Sequence, residues 1–344
     1  MEINCVFPPA MNTPDHIVLA EELGYERAWV YDVPVSYADT GATVAFAAKR
    51  TSSIRLGVSV FTPHLRHLTA NAALIAYLAT LAPGRFDAGI GAGFTSSTYL
   101  GRKPSRWAYI EDYVLALKEL LAGRDVEWEG TTLSLMHSPA SGISYPVDVT
   151  YWIAAHGPKG FGVAQRLGVG VVTNPTHGDN PVPYEGACNL TYYGTVLDDD
   201  EPIDSPRAID AAGPGASLAL HMGEHGPLAG MPEAAGYAEA VARVPEHRRH
   251  LEIYRGHLIE PNAIDRQFIT ADVVRRGTMT GTRSEIAAML RKLEDAGASA
   301  VLYQPAGRDI PRELRAFREA ADLRHSPTAA STSTNTNTTE TQHA

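Results

Sequence analysis

The chain has 344 residues, 44% of them hydrophobic, and a formal net charge of −10. This negative charge, with no basic stripe to offset it, excludes nucleic acid as a partner, and the apolar runs are too short to span a membrane. The N-terminus has no basic region followed by an apolar segment, so the sequence predicts a cytoplasmic protein. The two cysteines, Cys5 and Cys188, lack metal-ligand spacing and are predicted to be reduced.

The first part of the chain alternates short apolar or β-branched runs with longer helical patterns. This alternation is typical of βα units on a parallel sheet. Strands are predicted at 3–7, 28–32, 55–60 and 86–91, with helices at 13–24, 41–50, 69–81 and 105–123. The run 126–136 is interpreted as an irregular or hairpin excursion.

The second part resumes the same alternation, with predicted strands at 149–154 and 170–173 around a helix at 158–167. The run 174–215 is rich in Pro, Gly and Asp and is interpreted as a long insertion. The seventh strand is predicted at 217–220, followed by helices that cover the barrel mouth, and the eighth at 300–303. The sequence thus predicts an α/β fold, a (β/α)8 TIM barrel over residues 1–325 with insertions at the C-terminal face. Residues 326–344 have almost no apolar side chains and are predicted to be a disordered tail.

Three glycines, Gly89, Gly91 and Gly93, stand where the fourth predicted strand ends. Their missing Cβ atoms would let the backbone approach a flat ligand, although a tight turn explains them equally well. Because Phe94 and Thr95 follow, the spacing does not fit the G-x-G-x-x-G fingerprint, and a Rossmann fold is disfavoured.

A second candidate site follows the fifth predicted strand, in the run His156-Gly-Pro-Lys-Gly160. Exposed N–H groups at the start of a helix suit a phosphate or a carboxylate, although Gly-Pro also simply initiates helices. The hydroxyl of Thr173, at the end of the sixth predicted strand, would reach the same ligand unless it only packs in the sheet.

Catalytic candidates lie at the C-terminal ends of the strands, the barrel face that carries catalysis in such folds. Asp32 is interpreted either as a site residue or as a cap, and His64 either as a site residue or as a surface residue before a helix. His177 follows the sixth predicted strand. No two of the candidate histidines share a metal-binding spacing with a carboxylate, so no metal is predicted.

Several motifs together resemble those of the luciferase-like oxidoreductases, in order and in spacing. They are Gly57-Val-Ser-Val-Phe-Thr-Pro63, Arg66-His67, Leu81-Ala-Pro-Gly-Arg-Phe86, Gly89-Ile-Gly-Ala-Gly93, Ala154-Ala-His-Gly-Pro-Lys159 and Tyr303-Gln-Pro305. The likeness covers most of residues 1–320. Between Ser59 and Arg66 the chain is more similar to the F420-dependent reductases and dehydrogenases than to the light-emitting monooxygenases.

The resemblance implies a role for each matched position. Ser59 and Val60, at a strand end that often carries a non-prolyl cis peptide, would buttress a tricyclic cofactor ring. The resemblance implies that the ring is lined by Gly91, Ala92 and Gly93. It implies that the ribityl-phosphate side is lined by Ala155, His156, Gly157 and Thr173. The family resemblance also implies a homodimer.

Two positions depart from the family pattern. Many relatives have Asp-His where this chain has Asp32-Val33, and the F420 sugar-phosphate dehydrogenases place a glutamate where Phe94 stands. We therefore expect hydride transfer between deazaflavin F420 and a different small organic substrate, with Asp32, His64 and His177 as proton-transfer candidates in that order. The alternatives are an FMNH2-dependent monooxygenase and a flavin-binding protein without turnover.

Overall fold

The computed structural model describes residues 1–175 and 181–325. The predicted tail at 326–344 and His177 lie outside these ranges. Eight parallel strands close into a barrel in the order β1-β12-β9-β8-β7-β4-β3-β2, with the elements defined below. The predicted (β/α)8 barrel is therefore confirmed.

The first half of the barrel follows the predicted alternation closely. Its elements are β1 (Glu2–Phe7), α1 (Thr13–Glu22), β2 (Arg27–Val30), α2 (Thr40–Ala48), β3 (Arg55–Phe61), α3 (Leu68–Leu81), β4 (Phe86–Gly91), α4 (Phe94–Tyr99) and α5 (Trp107–Leu121). Helix α5 buries one stripe of apolar side chains against the barrel, as its spacing predicts.

The middle of the chain begins with the predicted hairpin and then returns to the barrel. Its elements are the antiparallel pair β5 (Val126–Trp128) and β6 (Thr131–Leu133), then β7 (Thr150–Ala154), α6 (Pro158–Leu167), β8 (Gly170–Thr173), β9 (Cys188–Tyr193) and β10 (Val196–Leu197).

Five α-helices follow before the last barrel strand. The remaining elements are α7 (Pro206–His221), α8 (Pro232–Ala242), α9 (Glu246–Ile253), α10 (Ala271–Gly277), β11 (Gly281–Thr282), α11 (Arg283–Asp295), β12 (Ala300–Gln304) and α12 (Ile310–Leu323). The capping box of Thr282 and Glu285 opens α11, as the sequence indicates.

The seventh strand is not where the sequence analysis put it. Residues 217–220 belong to helix α7, and the barrel strand is Cys188–Tyr193, inside the run interpreted as an insertion. The insertion proper is the group α7 to α10, between β9 and its barrel helix α11. We call the group α7 to α10 the roof. The roof has a small apolar core of its own, which includes Leu220, Tyr237 and Val273.

Two tryptophans fill the barrel interior. Trp29 on β2 and Trp152 on β7 meet edge to face with ring centroids 5.8 Å apart, across the two strands that separate them. Glycines leave room for the rings: a Cβ on Gly57 would lie 2.4 Å from Trp29, and one on Gly170 would lie 2.4 Å from Trp152. The interior is therefore packed up to the level of the strands' C-terminal ends.

In the part of the chain that the structure describes, every helix is too short or too polar to cross a membrane.

Candidate active site

One wall of the barrel mouth is made of small side chains. The Ser59–Val60 peptide near the end of β3 is cis, and both residues are partly exposed. A Cβ on Gly91 of β4 would lie 2.8 Å from Val60 Cγ2 and 3.5 Å from the Ala154 Cβ of β7. Three neighbouring strands thus present a low surface at the mouth. We call it the small-residue wall.

The glycine run ends in a position that only glycine suits. Gly93 has a φ of +75°, and a Cβ there would lie 2.2 Å from Thr62 Cγ2. Beside it, the backbone carbonyl of the partly exposed Ala92 accepts a hydrogen bond from the backbone N–H of Ser105 at 2.9 Å. The loop after α4 is thereby fixed beside the wall.

The predicted phosphate side lies next to the small-residue wall. Ala155 is buried, and Gly157 caps the N-terminus of α6 with open space where a Cβ would stand. His156 is exposed, and its Nδ1 lies 3.4 Å from Thr173 Oγ1 and from the N–H of Asn174. Pro158 and Lys159 at the helix start are exposed at the edge of the mouth, where the first N–H groups of a helix suit an anion.

The opposite side of the mouth is polar and aromatic. Tyr31 donates a hydrogen bond to Gln304 Oε1 at 2.8 Å, and Tyr193 is paired in register with Gln304 on the neighbouring strand. Burial raises the pKa of Tyr31 well above its usual value. Burial also raises the pKa of Tyr193 to about 12, although hydrogen bonding with Tyr31 limits the rise. At neutral pH, both phenols are therefore protonated.

The roof is tied to this side of the mouth through backbone carbonyls. Gln304 Nε2 donates to the Leu258 carbonyl at 2.7 Å, and the Tyr37 hydroxyl donates to the His257 carbonyl at 2.7 Å. The Tyr99 hydroxyl donates to the Tyr254 carbonyl at 2.8 Å. Three side chains, from the end of β12, the loop after β2 and the end of α4, thus hold one short turn above the mouth.

A buried histidine pair lies behind this turn. His221 Nε2 is 3.1 Å from Asp265 Oδ1, and the His221 ring stacks on His257 with centroids 6.2 Å apart. Burial, reinforced by His221 and opposed by Asp265, lowers the pKa of His257 to about 3. His257 is therefore neutral at physiological pH.

Two of the three catalytic candidates, Asp32 and His64, have different partners in the structure. Asp32 is buried, and both of its carboxylate oxygens accept hydrogen bonds from Arg66. Both oxygens are thus occupied by the Arg66 guanidinium, which suits the alternative interpretation of Asp32 as a structural residue. His64 Nε2 lies 3.1 Å from Ser105 Oγ and faces a cleft of about 320 Å³ that Tyr109 and Trp128 also line. His177 is outside the described residues.

Tyr31, Tyr193 and Gln304 are not among the site residues that the sequence predicts. Tyr31 directly precedes the selected Asp32, and Gln304 lies inside a quoted motif, so both had a positional signal. Tyr193 had none, because its strand was interpreted as part of an insertion. Tyr31, Tyr193 and Gln304 end or follow β2, β9 and β12, so they lie at the same face of the barrel as the small-residue wall.

Sequence comparisons give relatives with named activities. A 5,10-methylenetetrahydromethanopterin reductase of Methanolobus tindarius is 27% identical over 49% of this chain and 52% of its own length. An F420-dependent glucose-6-phosphate dehydrogenase of Beutenbergia cavernae is 31% identical over 60% of this chain and 68% of its own. The chain thus spans only about half the length of the first relative.

Solved structures share the fold at lower identity. A coenzyme F420-dependent tetrahydromethanopterin reductase from Methanopyrus kandleri superposes with a TM-score of 0.68 at 18% identity, covering 92% of this chain and 98% of the other. The family described as luciferase-like monooxygenase matches residues 7–181, which include the small-residue wall and the start of α6. The chain belongs to the luciferase-like monooxygenase family.

Proposed function

We propose that this protein is an F420-dependent oxidoreductase that acts on a small organic substrate. The observation that carries the proposal is the small-residue wall, in which Gly91 lies between Val60 and Ala154. The named activities of the sequence relatives, which include F420-dependent dehydrogenases, support the choice of cofactor.

The residues present fit a tricyclic cofactor. Val60, Gly91 and Ala92 would support the ring, because a larger side chain at position 91 would fill the space above Val60. His156, Gly157 and Thr173 would hold the ribityl-phosphate side at the start of α6. When bound, the deazaflavin supplies hydride chemistry. The protein orients the ring, excludes water with the roof and moves a proton.

We further propose that the substrate is not a sugar phosphate. Phe94, which stands where the sugar-phosphate dehydrogenases place a glutamate, is 68% exposed in the first turn of α4. Val33, which stands where many relatives have a histidine, cannot transfer a proton. Two polar side chains expected for that chemistry are therefore missing.

A titration of the purified protein with F420 and with FMN, followed by fluorescence, tests the proposal. We expect F420 to bind more tightly than FMN. Micromolar or better FMN binding without F420 binding would instead favour the FMNH2-dependent monooxygenase. Binding of F420 without reduction or oxidation of any substrate would favour a carrier of the cofactor.

The protein is also proposed to be a homodimer through α2 and α3. Neither helix contains a charged residue, yet Phe46 is 66% and Tyr77 is 50% exposed. Outer helices of a barrel normally turn a charged face to water. An apolar outer face therefore favours contact with a second copy.

A further inference from the structure

We propose that Tyr193 is the catalytic acid that protonates a carbonyl oxygen of the substrate, with Tyr31 as its positioning residue. The substrate class is accordingly an aldehyde or a ketone, which the enzyme reduces. This inference rests on the F420-dependent function proposed above.

The strand register places Tyr193 inside the barrel mouth. Tyr192 is paired with Tyr303, whose ring stacks outward on Phe317 of α12 at 3.9 Å. Because side chains alternate along a strand, Tyr193 and its register partner Gln304 face the interior. The same face of β9 carries Asn189, which accepts a hydrogen bond from Asn4 across the interior at 2.7 Å.

Tyr193 is the hydroxyl at the mouth that is best placed to release a proton. The Tyr31 hydroxyl hydrogen is directed at Gln304 Oε1, and Gln304 Nε2 in turn donates to the roof at Leu258. Gln304 thus holds Tyr31 at the strand end that is paired in register with Tyr193. Asp32, by contrast, is held by Arg66. Tyr193 is also partly exposed.

The pair also has a means of stabilising the charge that proton transfer leaves behind. Tyr31 lowers the pKa of Tyr193 against the larger effect of burial, and it would do so by turning its one hydroxyl hydrogen from Gln304 to the phenolate as the phenolate forms. Because Tyr193 nevertheless stays protonated at neutral pH, it begins the reaction as an acid. An acid serves carbonyl reduction, whereas alcohol oxidation would need the phenolate.

The proposed step balances. When bound, the reduced deazaflavin would supply a hydride from C5, and the electron pair of that C–H bond would form the new C–H bond at the carbonyl carbon. The Tyr193 O–H bond breaks, and an O–H bond forms on the former carbonyl oxygen. The carbonyl gains two electrons and becomes an alcohol, while the cofactor loses two. The proton that the cofactor releases on oxidation restores the tyrosine through solvent.

The first test compares Tyr193→Phe with Tyr192→Phe, an outward-facing neighbour on the same strand. Reduced F420 is mixed with acetone, cyclohexanone or benzaldehyde, and its oxidation is followed. We expect the parent to reduce at least one probe, Tyr193→Phe to lower kcat at least a hundredfold, and Tyr192→Phe to keep the parent rate. The Kd for F420 should stay within twofold in all three proteins.

A second test needs neither cofactor nor turnover. Incorporated 3-fluorotyrosine gives ¹⁹F resonances, and the one that disappears in Tyr193→Phe reports on that residue. In Tyr31→Phe, we expect the pKa of Tyr193 to rise, because the donor to its phenolate is lost. An unchanged pKa would overturn the role of Tyr31, since a purely structural tyrosine would leave it unaltered.

The outcomes separate this inference from the proposed function. If the parent binds F420 but reduces none of the three carbonyl compounds, or if Tyr193→Phe keeps its rate, the catalytic-acid proposal is wrong and the cofactor assignment stands. If the parent does not bind F420, the proposed function fails first.

Discussion

At the scale of single residues, Gly91 is the most direct test of where the ring lies. A Cβ there would already be 2.8 Å from Val60 Cγ2, so the larger side chain of Gly91→Val must enter the space reserved for the ring. We expect a folded barrel whose affinity for F420 is weakened at least tenfold, about 1.4 kcal/mol.

Fluorescence titration measures this loss, and circular dichroism checks the fold. Gly162→Ala, on the partly exposed side of α6, is the control and should bind like the parent. If Gly91→Val binds F420 as tightly as the parent, the ring lies elsewhere and the small-residue wall is not its support.

Because His257 is buried in its neutral form, we expect the folded protein to lose stability in acid. Burial, followed by the influence of His221, lowers its pKa from 6.5 to about 3, so below pH 6.5 the unfolded chain takes up a proton that the folded chain does not. The contribution of neutral His257 to the free energy of unfolding is fully present above pH 6.5. It falls as the pH drops toward 3, by up to about 1.4 kcal/mol per pH unit.

Urea unfolding at pH 7 and pH 5 measures this effect. His257→Gln should lose less stability than the parent between the two values, because glutamine does not titrate. His225→Gln, which replaces an exposed histidine of the roof, should lose as much as the parent. An equal loss in all three proteins would contradict the assignment.

At the scale of elements, the interior tryptophans depend on their glycine neighbours. An alanine at position 57 would place its Cβ between 2.4 and 2.8 Å from three ring atoms of Trp29, which is fully buried against Trp152. Because the ring has no space to retreat, we expect Gly57→Ala to cost about 1–3 kcal/mol of unfolding free energy.

The urea midpoint measures this cost, and a second substitution checks its cause. The second substitution is Trp29→Phe, which provides a smaller ring. We expect Gly57→Ala to cost less unfolding free energy in the Trp29→Phe protein than in the parent. Simple additivity of the two substitutions would show that the contact between position 57 and Trp29 is not responsible.

The misplaced seventh strand has a physical explanation. Ser217 to Leu220 is a short apolar run that follows Gly213, Pro214 and Gly215, and such residues usually end a helix. In the structure, helix α7 continues through them: Gly213 lies against Pro261, and Gly215 against Tyr193. Small residues there permit close packing of the roof on the barrel, which periodicity alone does not reveal.

At the scale of the whole molecule, the uncharged faces of α2 and α3 predict a dimer. Phe46→Arg would place a charge in the proposed interface, and we expect it to give a monomer by light scattering at micromolar concentration. Leu115→Arg on α5, where the parent leucine is 49% exposed, should leave the dimer mass unchanged. A monomeric parent would remove the proposal.

The sequence by itself determined the barrel and predicted one side of its candidate site. The βα alternation and the contiguous motifs around Ser59, Gly91 and His156 are local signals, because each depends on residues close together in the chain. Only the tertiary structure decided the other side. Tyr31, Tyr193 and Gln304 are far apart in sequence and meet because barrel closure brings β2, β9 and β12 around one mouth, and the commitment of Asp32 to Arg66 is likewise a contact between separate strand ends.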